Sequence, residues 1–186
     1  MDQALASALR VFWSRGYEGA SMAELTAEMG ITKPSLYAAF GNKEALFHKA
    51  LDLYEREKLA YMATALDAPT ARGVAERLMH GALQMQMSPG DPKGCLGVIG
   101  MSACGVEAES IRADVVKRRA SSEAALIARF ERAKAEGDLP DGLEPEALVR
   151  YLFALMQGLA VQAGAGATCT QLGQLVETSL AVWPTR

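Results

Sequence analysis

Residues 30–47 read GITKPSLYAAFGNKEALF, and this stretch decides the fold. Gly30 suits the left-handed backbone position that ends a helix, because it lacks a Cβ atom. Thr32 and Asn42 are residue types whose side chains cap helix N-termini. The stretch therefore predicts a short helix over about 33–40, with a tight turn before it and a longer helix after it.

The residues before this stretch complete a three-helix unit. Apolar residues recur at helical spacing up to Phe12, and Gly16 is predicted to end that first helix. Ser21 opens a predicted capping box, in which its hydroxyl accepts from the Glu24 amide while the Glu24 carboxylate reaches back. Two short helices that meet at a tight turn, with a helix on either side, predict a helix-turn-helix unit.

The remainder of the chain also has helical character. Strand-like alternation is nearly absent, and alanine, leucine, methionine and glutamate outweigh the β-branched residues. We therefore expect an all-α fold of about nine helices. After a linking helix over about 43–66, further helices are predicted over about 71–87, 95–105, 107–136, 143–163 and 170–182.

The charge of the chain limits how it could bind nucleic acid. The formal net charge is −3, so no global positive field attracts a polyanion. The first fifty residues are balanced as well, with five basic and five acidic side chains: Arg10, Arg15, Lys33, Lys43 and Lys49 against Asp2, Glu18, Glu24, Glu28 and Glu44. Any nucleic-acid site must therefore depend on where a few cations lie rather than on their number.

Several classes of function find no support in the sequence. The three cysteines are widely spaced and form no CxxC, so we expect no disulfide framework, metal site or cofactor. No nucleophile–base pair, metal-ligand cluster or phosphate loop is evident, and no acidic partner is seen at an obvious spacing from His48 or His80, so an enzyme is not predicted. No signal peptide is seen, which favours the cytoplasm. The uncharged run over 151–171 contains three glutamines and is predicted to be a buried helix rather than a membrane span.

The short helix over 33–40 carries the main candidate contacts with DNA. Leu36 and Phe40 are four residues apart and are predicted to face the core. That leaves Lys33, Ser35 and Tyr37 exposed, as expected for a recognition helix whose first residues reach base edges in the major groove. A lysine can donate to guanine and a serine can contact several bases, while the tyrosine hydroxyl can reach a phosphate.

Three further residues are predicted to contact the DNA backbone. Lys43 lies in the first turn of the next helix, where free backbone amides already favour an anion. The hydroxyls of Ser21 and Thr32 can be shared between helix capping and phosphate. The alternatives are that the lysines are simply solvated charges and that the tyrosine of the recognition helix is half-buried in the core.

The stretch YEGASMAELTAEMGITKPSLYAAFGNKEALF, residues 17–47, resembles the DNA-binding signature of TetR-family transcriptional regulators. The resemblance implies that the positions of Thr32, Lys33, Ser35, Tyr37 and Lys43 contact double-stranded DNA. It also implies a homodimer on a near-palindromic operator, with a DNA-binding domain over 1–47 and an effector-binding and dimerisation domain over 48–186. A ligand-responsive repressor is thus expected. The alternative is a helical protein-interaction module whose helix-turn-helix has lost DNA binding.

This sequence departs from the family pattern at the DNA-binding unit. Thr26 stands where an alanine is usual at the point of helix packing. Ala38 and Ala39 replace a polar or aromatic pair that often touches DNA, so base recognition should depend on Lys33, Ser35, the backbone and the shape of the DNA.

The C-terminal part offers candidates for an effector pocket and for a dimer interface. An uncharged or weakly polar effector is expected to contact residues that also suit a plain core: Met79, Leu83, Met85, Met101, Cys104, Phe130 and Tyr151. The predicted helix over 143–163 is too apolar to face water. Together with the last helix of each subunit it is predicted to form a four-helix interface through Gly158, Ala160, Leu172, Leu175, Val176 and Leu180. The alternative is that these helices only fill the core of one subunit. Cys95 is expected to be a buried apolar cysteine rather than a redox sensor.

Overall fold

The computed structural model describes residues 2–102, 105 and 108–184. These residues form ten α-helices and no strand: α1 (Asp2–Gly19), α2 (Met22–Met29), α3 (Lys33–Phe40), α4 (Lys43–Lys58), α5 (Ala60–Ala65), α6 (Ala71–Met87), α7 (Leu96–Met101), α8 (Glu109–Ala135), α9 (Pro145–Gly164) and α10 (Cys169–Ala181). The predicted all-α fold, with an N-terminal helix-turn-helix followed by further helices, is confirmed.

The chain packs as two compact units. The first comprises Met1–Leu59 and Cys95–Arg118, and the second comprises Ala60–Gly94 and Arg119–Arg186. Helix α8 contributes its first turns to one unit and the remainder to the other. These units follow packing, whereas the predicted division into a DNA-binding domain over 1–47 and an effector domain over 48–186 concerns function and stays a prediction.

Side-chain caps begin the helices of the helix-turn-helix at the predicted residues. Ser21 Oγ accepts from the Glu24 amide at 3.1 Å, and Asn42 Oδ1 accepts from the Ala45 amide at 2.7 Å. Thr32 caps α3 in the same way. Each cap satisfies an amide that the first helical turn leaves without a partner.

Two glycines shape the backbone between these helices. Gly30 follows α2 with φ 66°, in the left-handed region, and its amide bonds Ala27 O at 3.2 Å. Gly16 has φ 72° and ψ 175°, which is not helical geometry, so the regular helix that begins α1 ends at this residue, as predicted. A short helical turn up to Gly19 follows the kink within the same element.

Aromatic side chains form the core of the first unit. Phe12 meets Phe47 edge-on at 5.0 Å between ring centroids, and Trp13 meets Tyr54 edge-on at 4.8 Å. These pairs tie α1 to α4, and such edge-to-face contacts add about 0.5–1.5 kcal/mol each beyond the burial of apolar area. Leu36, which is fully buried, anchors α3 to this unit.

The linking helix is shorter than predicted. We expected one helix over about 43–66, but α4 ends at Lys58, and Leu59 leaves helical geometry with φ −104° and ψ 7°. A separate helix, α5, then packs in the second unit, where its Tyr61 ring lies against Gly81 of α6. The close approach to Gly81 is a tertiary contact between residues twenty positions apart, so no local pattern could have placed this break.

The second unit has an apolar core built by α6, α8, α9 and α10. Leu78, Phe130, Leu152 and Val176 are fully buried within it. Helix α9 is long and apolar enough to cross a membrane by length and composition alone, a test that the core helix of a soluble protein also passes. Its buried residues pack in the core of the second unit, but only 39% of its most apolar stretch is buried. The helix is therefore buried on one side and not throughout, whereas the sequence had predicted a buried helix.

Candidate nucleic-acid interface

Helix α3 separates its anchoring residues from its candidate contacts. Leu36 is fully buried and Phe40 is 5% exposed, and they fix the helix against the rest of the unit. Lys33 and Ser35 are exposed, and Tyr37 is 45% exposed. The alternative that this tyrosine is half-buried in the core is therefore not favoured, and the exposed face has the composition of a recognition helix.

The hydroxyls at the start of α3 form a pair. Thr32 Oγ1 lies 2.8 Å from Ser35 Oγ and accepts from the Ser35 amide at 3.3 Å. Both side chains are exposed. Capping therefore holds the threonine hydroxyl in place, while its bond to Ser35 orients a second hydroxyl beside it.

The two candidate lysines lie over aromatic rings. Lys43 Nζ is 4.6 Å from the centroid of the Tyr17 ring, and Lys33 Nζ is 5.9 Å from the centroid of the Tyr37 ring. Both distances are within the range of a cation–π attraction. The sequence had suggested phosphate and base contacts for these lysines but offered no sign of the rings beneath them.

The capping box at α2 is only half formed. Ser21 caps the helix, but the Glu24 carboxylate does not reach back to it and lies 3.3 Å from Arg15 Nε. The prediction of a reciprocal box was wrong because a cation nine residues earlier in the chain competes for the carboxylate. Ser21 itself is exposed, so its hydroxyl is sterically available to a phosphate.

Thr26 fits into α2 without disturbing it. Its hydroxyl donates to the carbonyl oxygens of Met22 and Ala23, at 3.0 and 3.1 Å, within its own helix. The threonine can therefore occupy this half-buried position, because its hydroxyl is hydrogen-bonded to the backbone of its own helix. Ala38 and Ala39 are exposed on α3, so the outer face of this helix presents two methyl groups there.

A charged cluster joins α4 to the first turns of α8 within the first unit. His48 Nδ1 lies 2.8 Å from Asp114 Oδ2, and Arg118 Nη1 lies 2.7 Å from Asp52 Oδ1 and 2.8 Å from Glu55 Oε2. Partial burial lowers the pKa of Arg118, but hydrogen bonds to Asp52, Glu55 and Asp114 outweigh it and raise the pKa above its ordinary value. The guanidinium therefore stays charged.

The prediction that no acidic partner lies at an obvious spacing from His48 was wrong, and the structure adds a second partner, Asp114, that no spacing indicates. Asp114 is 66 positions away, a distance at which sequence spacing carries no information. Glu44, one helical turn before the histidine, lies 3.8 Å away and could have been noticed. Among the described residues no three histidine, cysteine or acidic side chains are arranged to hold a metal ion.

The predicted effector contacts occupy varied environments. Met79 and Phe130 are buried in the core of the second unit, Met85 is 9% exposed, and Leu83 packs partly buried against that core. Tyr151 is 40% exposed and lies 6.4 Å from the Trp183 ring. Met101 belongs to the first unit and is partly exposed. Cys104 lies outside the described residues.

The predicted dimer residues are mostly used within the chain itself. Four of the six, Ala160, Leu172, Val176 and Leu180, are buried in one subunit. Gly158 and Leu175 are partly exposed. A Cβ atom added to Gly158 would meet nothing within 4 Å, so this glycine faces open space. The pattern of apolar residues located both helices but did not separate their inner faces from their outer ones.

Cys95 is partly exposed rather than buried as expected. The Tyr54 hydroxyl donates to its sulfur at 3.5 Å. The cysteine precedes α7 without capping it, so its side chain is not committed to the first turn of that helix.

Comparison with known proteins supports the same interpretation. A family model described as bacterial regulatory proteins of the tetR family matches residues 4–50. The HTH-type transcriptional repressor ComR of Escherichia coli (strain K12) is 29% identical over 185 residues, covering 98% of this chain and 88% of ComR. The HTH-type transcriptional regulator YezE of Bacillus subtilis (strain 168) is 30% identical, covering 94% of this chain and 91% of YezE.

A solved structure shows the same fold over nearly the whole chain. A cysteine mutant of the TetR-family regulator CifR, in complex with a 26-base-pair double-stranded operator, is 39% identical to this protein. The two superpose with a TM-score of 0.91, covering 98% of this chain and 96% of the CifR chain. A helix-turn-helix with exposed polar residues on its second helix, followed by a helical C-terminal region, defines the class. The protein belongs to the TetR family of bacterial transcriptional regulators.

Proposed function

We propose that this protein is a cytoplasmic repressor that binds a near-palindromic operator as a homodimer and leaves it when a small, largely apolar effector binds. The observation that carries the DNA-binding part is the division of α3 into a buried anchor, Leu36, and an exposed edge with Lys33, Ser35 and Tyr37. The CifR complex with operator DNA supports it by relationship. The proposal assigns phosphate contacts to Ser21, Thr32, Tyr37 and Lys43, and base contacts to Lys33 and Ser35.

DNA binding is tested with the promoter region immediately upstream of the protein's own gene. Fluorescence anisotropy over a salt series should show affinity that falls steeply as salt rises, because bound lysines and arginines displace counterions. Lys43→Ala should weaken binding to every duplex alike and reduce the slope of log K against log salt by about 0.9 for each phosphate that the variant no longer neutralises. Lys33→Ala should instead reduce discrimination between promoter and arbitrary DNA by about 1–3 kcal/mol.

Lys117 provides the matched control. It is an exposed lysine of the same unit, on α8 rather than on the helix-turn-helix. Lys117→Ala should leave both affinity and salt slope unchanged. If all three lysine variants behave alike, or if the wild-type protein binds promoter DNA no better than it binds arbitrary DNA, the operator proposal fails. The helix-turn-helix would then belong to a protein-interaction module.

The dimer is proposed to form through the outer faces of α9 and α10. Support comes from Val161, which is 58% exposed, and from Val182 at the end of α10, which is 65% exposed. Gly158, one turn before Val161, offers no side chain and so permits close helix approach. A two-fold dimer would present its two recognition helices about 34 Å apart, one turn of DNA.

Val161→Glu tests this interface. A buried, unpaired carboxylate is costly, so the variant should sediment as a monomer at concentrations where the wild type is a dimer, and promoter binding should fall with it. Val116→Glu is the matched control, because Val116 is 50% exposed but lies on α8. Dimers of unchanged stability in Val161→Glu would exclude this face of α9.

The effector is proposed to be uncharged or weakly polar. Support comes from the side chains around the candidate residues of the second unit, which are apolar apart from a few buried polar groups such as Gln86 and Arg129. The dimer is proposed to adopt two forms, one with the recognition helices spaced to fit the operator and one with a different spacing. An effector that binds the second form more tightly lowers the operator affinity by the difference between its affinities for the two forms. Helix α4, which follows the recognition helix, is the proposed lever.

A panel of uncharged aromatic and aliphatic compounds tests the effector site. A true effector should raise Tm as its occupancy increases and release promoter DNA at the same concentrations. Leu83→Trp should abolish both effects by filling the site beside α6. Met87→Trp, at a position that is 44% exposed, should retain both. A compound that raises Tm without releasing DNA is not the effector.

A further inference from the structure

All three lysines of the first fifty residues lie over aromatic rings. The distances from Nζ to the ring centroid are 4.6 Å for Lys43 and Tyr17, 5.5 Å for Lys49 and Phe40, and 5.9 Å for Lys33 and Tyr37. A lysine ammonium within about 6 Å of a ring centroid is attracted by the negative face of the ring. In a segment with no net charge, this recurrence suggests that the rings determine where the cations lie.

The Tyr17 ring is the most firmly held of the candidate supports. Tyr17 is 9% exposed, and its ring stacks on Phe12 at 6.4 Å and meets Phe47 edge-on at 5.4 Å. Phe12 and Phe47 are themselves buried. The ring is therefore part of the aromatic core, while one of its faces contacts the Lys43 ammonium.

A lysine on such a ring differs from a freely solvated lysine. A lysine side chain is long and flexible and loses rotamer freedom when it binds a phosphate. Because Lys43 lies over the face of the Tyr17 ring, its side chain is already restricted in the free protein and loses less rotamer freedom when it binds DNA. The ring is also neutral, so unlike a carboxylate partner it does not cancel the charge that a phosphate would meet.

We propose that Tyr17 is a positioning residue for DNA binding, and that its ring face holds the Lys43 ammonium ready for a backbone phosphate. The inference rests on the proposed role of Lys43 and adds Tyr17, a residue to which the sequence assigned no role. A purely structural Tyr17 would support the fold in the same way whether or not residue 43 carries a charge. The two roles therefore differ in their dependence on Lys43.

Fluorinated phenylalanines at position 17 separate these roles, because fluorine withdraws electron density from the ring face with little change in its shape. Tyr17→Phe should bind promoter DNA within about twofold of the wild type, because the ring face is kept. A fully fluorinated ring should bind about 2- to 5-fold more weakly for each DNA-binding unit, the effect of removing an exposed cation–π attraction. The same series in a Lys43→Met background should show no dependence on fluorination.

Proton NMR of the free protein supplies a readout that needs no DNA. The ε-methylene protons of Lys43 should be shifted upfield by the ring current in the wild type and in Tyr17→Phe. In Tyr17→Leu they should move to the random-coil position. Thermal unfolding of each variant identifies any loss of the fold itself.

The outcomes distinguish this inference from the proposed function. Fluorination that weakens DNA binding equally in the Lys43 and Lys43→Met backgrounds would overturn the positioning role, as would fluorination without effect in either background. Lys43→Met with unchanged affinity and salt slope would remove Lys43 from the DNA interface. That result overturns the positioning role and the phosphate contact assigned to Lys43, whereas operator binding itself is decided by the Lys33 variant and by the preference of the wild type for promoter DNA. A fluorination effect confined to the Lys43 background, together with the upfield shift, supports the positioning role.

Discussion

The helix-turn-helix over α1–α3 and the helical pair α9–α10 differ in what their sequences reveal. In the first, Ser21 and Thr32 cap the helices that they were predicted to cap, although Glu24 does not complete the box at α2. Lys33, Ser35 and Tyr37, which were predicted to lie on the outer face of α3, are exposed. In the second, four of the six residues predicted to face a partner are buried in their own subunit. The helices were located in both regions, but their faces were assigned correctly in only one.

The difference comes from the distance over which each feature is determined. A cap joins residues three positions apart, so its partners are visible in a short stretch of sequence. Helices α9 and α10 each carry an apolar face, but an apolar face by itself does not tell whether a helix of the same subunit or of a partner covers it. Their inner faces are chosen by α6 and α8, which lie far away in the chain.

The largest expected effect tests whether α3 depends on its buried anchor for stability. Leu36→Ala should lower the free energy of unfolding by about 2–5 kcal/mol, because it removes a fully buried side chain and leaves a cavity. Tyr37→Phe, the adjacent control at an exposed position, should change stability by less than about 0.5 kcal/mol. Both are measured by denaturant unfolding, and a small effect of Leu36→Ala would contradict the assigned anchor.

The next effect tests close packing in the second unit. A Cβ atom on Gly81 would overlap the Tyr61 ring, so Gly81→Ala should destabilise by about 1–3 kcal/mol. In a Tyr61→Ala background the same substitution should stabilise by about 0.5–1 kcal/mol, because alanine then only improves the helix. Equal effects in the two backgrounds, in a thermal unfolding cycle, would show that the ring is not the obstacle.

A third test separates capping from DNA contact at Thr32. Thr32→Ala should cost about 1 kcal/mol of stability by removing the cap of α3. Thr32→Asp should keep the cap and the stability, yet weaken DNA binding, since a carboxylate repels phosphate. Thr32→Ser is the matched control and should retain both properties. If Thr32→Asp binds promoter DNA as the wild type does, the hydroxyl lies away from the phosphates.

The smallest effect concerns the ion pair on the helix-turn-helix. Glu24→Gln removes the partner of Arg15, whose side chain is 63% exposed. An exposed pair of this kind contributes only about 0–1 kcal/mol, so unfolding should change little. Binding to arbitrary DNA at low salt should strengthen modestly, because the unit gains net positive charge. A large loss of stability would instead assign the pair a structural role.

Several features of the site were inaccessible to sequence reasoning. The ring beneath Lys43 is supplied by Tyr17, which belongs to a different helix, and the partner of His48 is 66 positions away. The division of the linking helix at Leu59 also depends on packing against residues later in the chain. In each case the deciding interaction joins residues that are distant in sequence, and no periodicity records it.

The sequence by itself determined the helical fold, the turn at Gly30, the caps at Ser21, Thr32 and Asn42, and the exposed residues of α3. These features follow from backbone preferences and hydrogen bonds between near neighbours. Only the tertiary structure decided which faces of α9 and α10 are buried and which ring supports Lys43. Both features depend on contacts between helices that are far apart in the sequence, and these contacts form only when the chain packs into its folded structure.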